Sequence, residues 1–247
     1  MACRIVMIAS GKGGTGKSTT SVLLGSRLAA MGQKVLLVEL DSGLRSVDYI
    51  SGICGETVYD VQDVLDGRCS CDKAVMQSPL YPNLSVISAP YEGGNVSDVA
   101  LKALITQIKD HFDTILLDTA AGIGNPFLCA AHVADTCLLV LQADTINLRD
   151  GRIVSDKCWE SGVKEIRLIL NRFNAKRFKK GPIADLDECV DTTCAQLLGV
   201  VPESDELQTY MESGKALPVD NPAMLAMTRI ARRLMGKRLP LNMSDIV

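Results

Sequence analysis

Aromatic residues are scarce in this 247-residue chain: five Tyr, four Phe and one Trp, 4% in all. With 47% apolar residues, a sizeable core is available, and it must be aliphatic, built from Val, Ile, Leu, Ala and Met. There is no excess of basic charge. Lys and Arg number 26 against 29 Asp and Glu, giving a net charge of -3. That balance excludes a whole-molecule cationic field for nucleic acid. Basic residues do cluster locally at Lys176–Lys180 and Arg229–Arg238, and each cluster reads first as a solvated face. No apolar run reaches the ~18 residues of a membrane span. The nine cysteines are odd in number and irregularly spaced, so they form no disulfide framework. The opening residues Met1–Ala9 read as a short β-like run rather than a signal peptide. No internal repeat or low-complexity linker breaks the chain. The expectation is a reduced, cytoplasmic protein with one domain over residues 1–247.

Short apolar runs alternate with longer helix-period segments. Strands are expected at Arg4–Ala9, Lys34–Glu39, Leu84–Ser88, Thr114–Leu117, Thr136–Leu141, Glu165–Leu170 and Gly199–Val201. They are rich in Val, Ile and Leu with little polar alternation, as in parallel strands buried on both faces. Helices are expected at Ser18–Met31, Val96–Asp110, Ile146–Ser161, Ile183–Leu197 and Pro222–Met235. Gly32 and Gly162 stand just past two of these ends, and Pro222 stands at a first helical position after Asn221. This order predicts an α/β fold, a doubly wound, mostly parallel sheet of seven or eight strands. The irregular stretch Asp41–Pro82 is expected to be an insertion of helices and loops over the active face.

Gly11-Lys12-Gly13-Gly14-Thr15-Gly16-Lys17-Ser18 fits the phosphate-loop pattern G-x-x-x-x-G-K-[ST], directly after a strand and before a helix. Glycine lets the backbone close around phosphates, and the amides of Gly11, Gly13, Gly14, Thr15, Gly16, Lys17, Ser18 and Thr19 would face the anion. Lys17 would reach the β- and γ-phosphates, and Ser18 would ligate Mg²⁺. Further on, Leu116-Leu117-Asp118 runs from apolar strand to carboxylate, so Asp118 is the second expected Mg²⁺ group, through a water. Asn171-Arg172 closes a strand, and an Asn can pair with adenine N6 and N7 together. No guanine-reading motif is apparent, so the expected nucleotide is ATP.

The early lysine distinguishes this loop. Gly-Lys-Gly-Gly-x-Gly-Lys-Ser-Thr resembles the deviant Walker A of the MinD/ParA superfamily of ATPases. The resemblance implies that Lys12 reaches across an ATP-bound homodimer to the partner's nucleotide. Glu39-Leu40-Asp41-Ser42-Gly43-Leu44-Arg45-Ser46-Val47-Asp48 is similar to the family's switch I, D-x-D-x-G-L-R-x-x-D, with Glu39 in place of the first aspartate. Asp41 then matches the carboxylate that positions the attacking water. Asp118-Thr119-Ala120-Ala121-Gly122-Ile123 is similar to the switch II pattern D-[ST]-P-A-G-[IL], with Ala120 in place of proline. There the Gly122 amide would sense the γ-phosphate. Pro202-Glu203-Ser204 resembles the loop that packs on the adenine.

Pro82-Asn83-Leu84, Ser88-Ala89-Pro90, Leu148-Arg149-Asp150 and the helix ending at Gly236 follow in MinD order, so the match is closer to MinD than to its relatives. The resemblance implies a slow ATPase that acts as a spatial switch with a protein activator. Three other readings stand beside it. One is a partition ATPase that binds DNA, which the acidic charge disfavours. Another is a metal-centre maturation ATPase using Cys69 and Cys71. The third is a nucleotide-binding regulator with little turnover. MinD chains usually continue into a basic amphipathic membrane helix. Asn242–Val247 offers none, so membrane attachment through such a helix is not expected.

Overall fold

The computed structural model describes residues 3–43 and 45–241. Met1, Ala2, the switch-motif residue Leu44 and the tail Asn242–Val247 lie outside the described residues.

In chain order the described residues form β1 (Arg4–Ala9), α1 (Lys17–Ala30), β2 (Val35–Glu39), α2 (Ser46–Ser51), α3 (Val61–Leu65), α4 (Cys71–Ala74), β3 (Met76–Gln77) and β4 (Leu84–Ile87). There follow α5 (Asp98–Ile108), β5 (Thr114–Asp118), α6 (Asn125–Val133), β6 (Thr136–Leu141), α7 (Thr145–Glu160) and β7 (Glu165–Phe173). Last come α8 (Ala175–Phe178), α9 (Leu186–Thr193), β8 (Gln196–Pro202), α10 (Asp205–Glu212) and α11 (Pro222–Leu234). One eight-stranded sheet has the order β3-β4-β2-β5-β1-β6-β7-β8. Every pairing is parallel except β3 with β4.

The strand interiors are buried throughout β2, β4, β5 and β6, which is why their sequences show no polar alternation. One apolar layer packs α1, α2 and α11 on one face of the sheet. The other packs α5, α6, α7 and α9 on the opposite face. The helix punctuation has the expected geometry. Gly32 and Gly162 adopt left-handed φ of 89° and 88° after α1 and α7. The Asn221 side chain caps α11 by accepting the Ala223 amide.

The structure corrects several boundaries. The expected helix Ile183–Leu197 is the shorter α9, ended by Cys194 in a left-handed conformation, and Leu197 belongs to β8. Short apolar runs suit a helix face and a buried strand equally well, so periodicity misplaced this junction. β7 runs past Leu170 to Phe173, with an irregular register against β8 between Leu170 and Phe173. Helix α6 was not foreseen. Asp41–Pro82 holds the three short helices α2, α3 and α4 and the antiparallel edge strand β3.

The nine cysteines are all free. Cys54 and Cys194 are exposed, Cys3 and Cys69 half-buried, and the other five buried. Cys71 belongs to the core and burial pushes its thiol up to about 11. No group of three His, Cys, Asp or Glu among the described residues could hold a metal ion. No helix of the described residues is long and apolar enough to cross a membrane.

Gly199 is where β8 meets α11 most tightly: a Cβ there would lie 2.4 Å from Ile230 Cγ1, the stem of a fully buried side chain. Replacing a strand glycine normally gains about 0.5–1 kcal/mol, whereas overpacking a close-packed core costs about 1–3 kcal/mol. The clash dominates, so Gly199→Ala is expected to lower the urea midpoint. An unchanged or raised midpoint would show that α11 yields freely.

Candidate nucleotide and metal site

The loop between β1 and α1 lies at the carboxyl ends of the central strands. Gly14 and Gly16 have φ of 79° and 91°, a region open to glycine and strained for side chains. Gly16 is also sterically enclosed: a Cβ would fall 2.3 Å from Asn171 Nδ2. Asn171 is buried, and its Nδ2 donates to the Thr15 carbonyl at 2.8 Å. It is thus a strut under the loop, as well as the expected base-reading residue. Neighbouring Arg172 has φ of 52° where the register slips, a distortion that re-aims side chains along a strand. Asn171 therefore stands inside β7 rather than at its end. Arg172 is exposed. Glu203, just past Pro202, ties β8 to β7. Its amide donates to the Phe173 carbonyl at 2.9 Å, and its carboxylate accepts Asn174 Nδ2 at 3.1 Å.

Lys17 is buried at the start of α1. Asp118 ends β5 and is fully buried. Ser21 Oγ donates to Asp118 Oδ1 at 2.9 Å, and the Ser18 side chain is hydrogen-bonded to the same carboxylate. The other oxygen, Asp118 Oδ2, is buried without a hydrogen-bond partner. Burial pushes Asp118 up to about 6, while Ser18, the Lys17 charge and Ser21 pull it back. A buried, unpartnered carboxylate oxygen beside a serine hydroxyl is a hard oxygen donor set, the kind that suits Mg²⁺. Ser18 and Asp118, paired from sequence, are brought together here.

Asp41 is half-buried just past β2. Burial raises its pKa and the Lys17 ammonium opposes this. Gly122 has φ of 85°, and its amide donates to the Ser10 carbonyl at 2.9 Å. Thr15 is buried with its hydroxyl unpartnered. Thr19, the third residue of α1, is half-buried, and Gly13 is exposed.

Lys12 is paired with a residue outside this cluster. Its ammonium lies 3.8 Å from Asp150 Oδ2, with the lysine side chain 42% exposed. Asp150 is also paired with Arg149 at 3.0 Å. Gly11 packs directly on Asp150, since a Cβ there would lie 2.6 Å from Asp150 Cβ. The role of Asp150 was not legible beforehand, although its tripeptide Leu148-Arg149-Asp150 stood out.

Three further buried groups escaped sequence reasoning. Glu39 Oε1 accepts the Val47 amide and Oε2 the Ala89 amide, each at 3.2 Å. Arg45 and Asp48 form a buried ion pair at 2.6 Å. Ser88 donates to Asp48, and the Arg45 guanidinium lies 4.1 Å over the Tyr91 ring. The only hint was the D-x-x-x-x-x-R-x-x-D-like spacing within the switch-like segment.

Burial pushes Glu39 up from 4.5 to about 8, against the amide bonds of Ala89 and Val47. The folded, metal-free chain thus keeps a proton that the unfolded chain releases. The contribution of this carboxyl is complete below 4.5 and is lost as the pH rises towards about 8. Between about pH 5 and 8, the melting temperature of the metal-free protein is therefore expected to fall relative to that of Glu39→Gln. Parallel curves for the two proteins would show that Glu39 titrates normally.

An AAA domain family model matches residues 3–151. The septum site-determining protein MinD of Bacillus subtilis is 33% identical over 246 residues, 97% of this chain and 92% of that protein. The MinC:MinD cell division protein complex of Aquifex aeolicus contains a chain with a TM-score of 0.89 and 32% identity, covering 97% of this chain and 99% of that one. MinD of Pyrococcus horikoshii, solved with Mg-ADP, shares the fold at a TM-score of 0.82 and 24% identity over 94% of this chain and 96% of that one. The parallel sheet, the two-lysine phosphate loop and these similarities agree: the chain belongs to the MinD/ParA superfamily of deviant Walker A P-loop ATPases, on its MinD side.

Proposed function

We propose that this chain is an ATP-dependent dimerising switch: a single-domain ATPase over residues 1–247 that binds ATP with Mg²⁺, pairs with a second copy and hydrolyses slowly. The observation that carries the reading is the placement of Lys12. Its ammonium is ion-paired with Asp150 in a partly exposed contact at 3.8 Å. Such pairs are worth about 0–1 kcal/mol. The tether is weak enough for Lys12 to leave Asp150 for the phosphates of a second copy.

In this reading the amides from Gly11 to Thr19 bind the phosphates, and Lys17 neutralises charge on the β- and γ-phosphates. Ser18 and Asp118 would hold Mg²⁺, Asp118 through a water. When bound, the ion offsets phosphate charge and orients the phosphoryl oxygens. Asp41 orients the attacking water, and its raised pKa suits a group that accepts hydrogen bonds from it. Lys12 of the second copy stabilises charge building on the transferring phosphoryl group, like an arginine finger in trans. The Gly122 amide exchanges the Ser10 carbonyl for the γ-phosphate, which links switch II to the nucleotide. Asn171 and Arg172, with Pro202 and Glu203, flank the base. Asn171 Nδ2 carries two hydrogens, so its bond to Thr15 leaves one hydrogen and the oxygen for adenine.

ATP favours the dimer because it is bound more completely there, so nucleotide state sets oligomeric state. The Aquifex MinD relative is solved with MinC, and a protein partner or activator is expected here too. Positioning of a division site or other intracellular structure is the proposed role, in the cytoplasm or at a membrane periphery. DNA partition is the second reading, and salt-sensitive DNA binding by the ATP-bound dimer would favour it. Cys71 in the core argues against a Cys69–Cys71 metal centre.

Size-exclusion with light scattering tests the reading. With ADP the mass should be that of the 26.6 kDa monomer. With Mg-ATP, Asp41→Ala should retain nucleotide, stop turnover and double in mass, and adding Lys12→Ala should return the monomer. Lys17→Ala should bind neither nucleotide. A mass that ignores nucleotide would overturn the dimerisation mechanism, and normal hydrolysis by Asp41→Ala would remove that residue from its role.

A further inference from the structure

Glu39 is the last residue of β2 and is 1% exposed. It lies in register with Asp118 on the neighbouring strand, and the next residue, Leu40, donates its amide to the Asp118 carbonyl at 2.8 Å. The Glu39 side chain spans the segment that follows. Oε1 takes the amide of Val47, eight residues on, and Oε2 takes the amide of Ala89 beyond β4. The carboxyl therefore joins three separate pieces of backbone: the end of β2, the start of α2 and the exit of β4. Among the described residues of the segment, the Gly43 amide is a further backbone anchor, donating to the Pro90 carbonyl at 3.1 Å. Asp41 sits between the Leu40 and Gly43 anchors. Its place relative to the phosphate loop thus depends on how firmly residues 40–47 are pinned to residues 88–90.

We propose that Glu39 is a positioning residue: by bridging the Val47 and Ala89 amides it holds the Asp41 loop against the β4 exit and sets Asp41 in its working place. The inference rests on the ATPase reading for its consequence in turnover, and on backbone geometry alone for its consequence in structure. Both requirements of the bridge are chemical. It needs two oxygens, since each amide takes a different one, and both carry lone pairs whether or not the group is protonated. It also needs the full side-chain length. An aspartate would be shorter by one carbon–carbon bond, about 1.5 Å, and could not keep both 3.2 Å contacts from the same Cα. Glutamine has the right shape with only one accepting oxygen, and its amide nitrogen would face an N–H donor. Both conservative replacements should therefore fail, the isosteric one included. A side chain that merely fills space would tolerate glutamine.

The experiment compares wild type, Glu39→Gln and Glu39→Asp by amide hydrogen exchange, Mg-ADP affinity and steady-state Mg-ATP hydrolysis. Loss of a buried hydrogen bond should speed exchange of Val47 or Ala89 and of the Asp41 loop by on the order of tenfold. Turnover should fall on the order of tenfold while KM and Mg-ADP affinity stay within about twofold, because the phosphate loop is untouched. Unchanged exchange in Glu39→Gln would overturn the proposal. So would a fall in nucleotide affinity matching the fall in turnover, which would mean a damaged binding site. If wild type itself shows no hydrolysis, the ATPase reading fails, and the exchange measurement still decides whether Glu39 holds the loop.

Discussion

A parallel strand is joined to its next parallel neighbour by a crossover of one hand, so the direction in which the chain moves along the sheet decides which face each helix covers. From β1 the chain moves one way to β2, placing α1 on one face. From β6 it moves the other way to β7, placing α7 on the opposite face. The carboxyl ends of β1 and its neighbours consequently face an opening between two diverging loops, the position where α/β sheets bind ligands. The phosphate loop, Asp118 and Asp150 converge there because the topology leaves them no other place.

Around that opening the electrostatics are those of acids held out of water. Glu39, Asp41 and Asp118 are all shifted upward by burial. Lys17 is the buried cation acting on Asp41 and Asp118. Glu39 has instead the amides of Val47 and Ala89. Unpaired charge is expensive in a low-dielectric site, so the cluster is tuned to accept further positive charge or protons. The Arg45–Asp48 pair is a separate device. It is completed by Ser88 and covered by Tyr91, and it locks the far end of the same loop.

The sheet and the phosphate loop were legible because their signals are local. Apolar runs bounded by turn residues mark β1, β5 and β6, and the two-lysine glycine loop has to follow a strand and open a helix. Asp118 was readable because Ser18 and the apolar run before it fix its context. Long-range packing hid the rest. The Ile183–Leu197 boundary failed because Leu197 and Leu198 suit either a helix or a strand. Asp150 is separated from Lys12 by well over a hundred residues, and only the approach of α7 to Gly11 shows that they meet. Glu39 resembled a simple replacement of aspartate, yet its length matters only once the Val47 and Ala89 amides are known to face it. Asn171 was expected at a strand end, whereas it stands inside β7, and its strut to Thr15 is a long-range contact that no periodicity announces.

The thiols offer a practical consequence. Cys54 and Cys194 are the exposed members of the free set, the first after α2 and the second at the end of α9. Alkylating dyes react with accessible thiols first, so the native sequence already carries two attachment points for fluorophores or spin labels. Optical distance measurements within and between copies become feasible without introducing a single new cysteine.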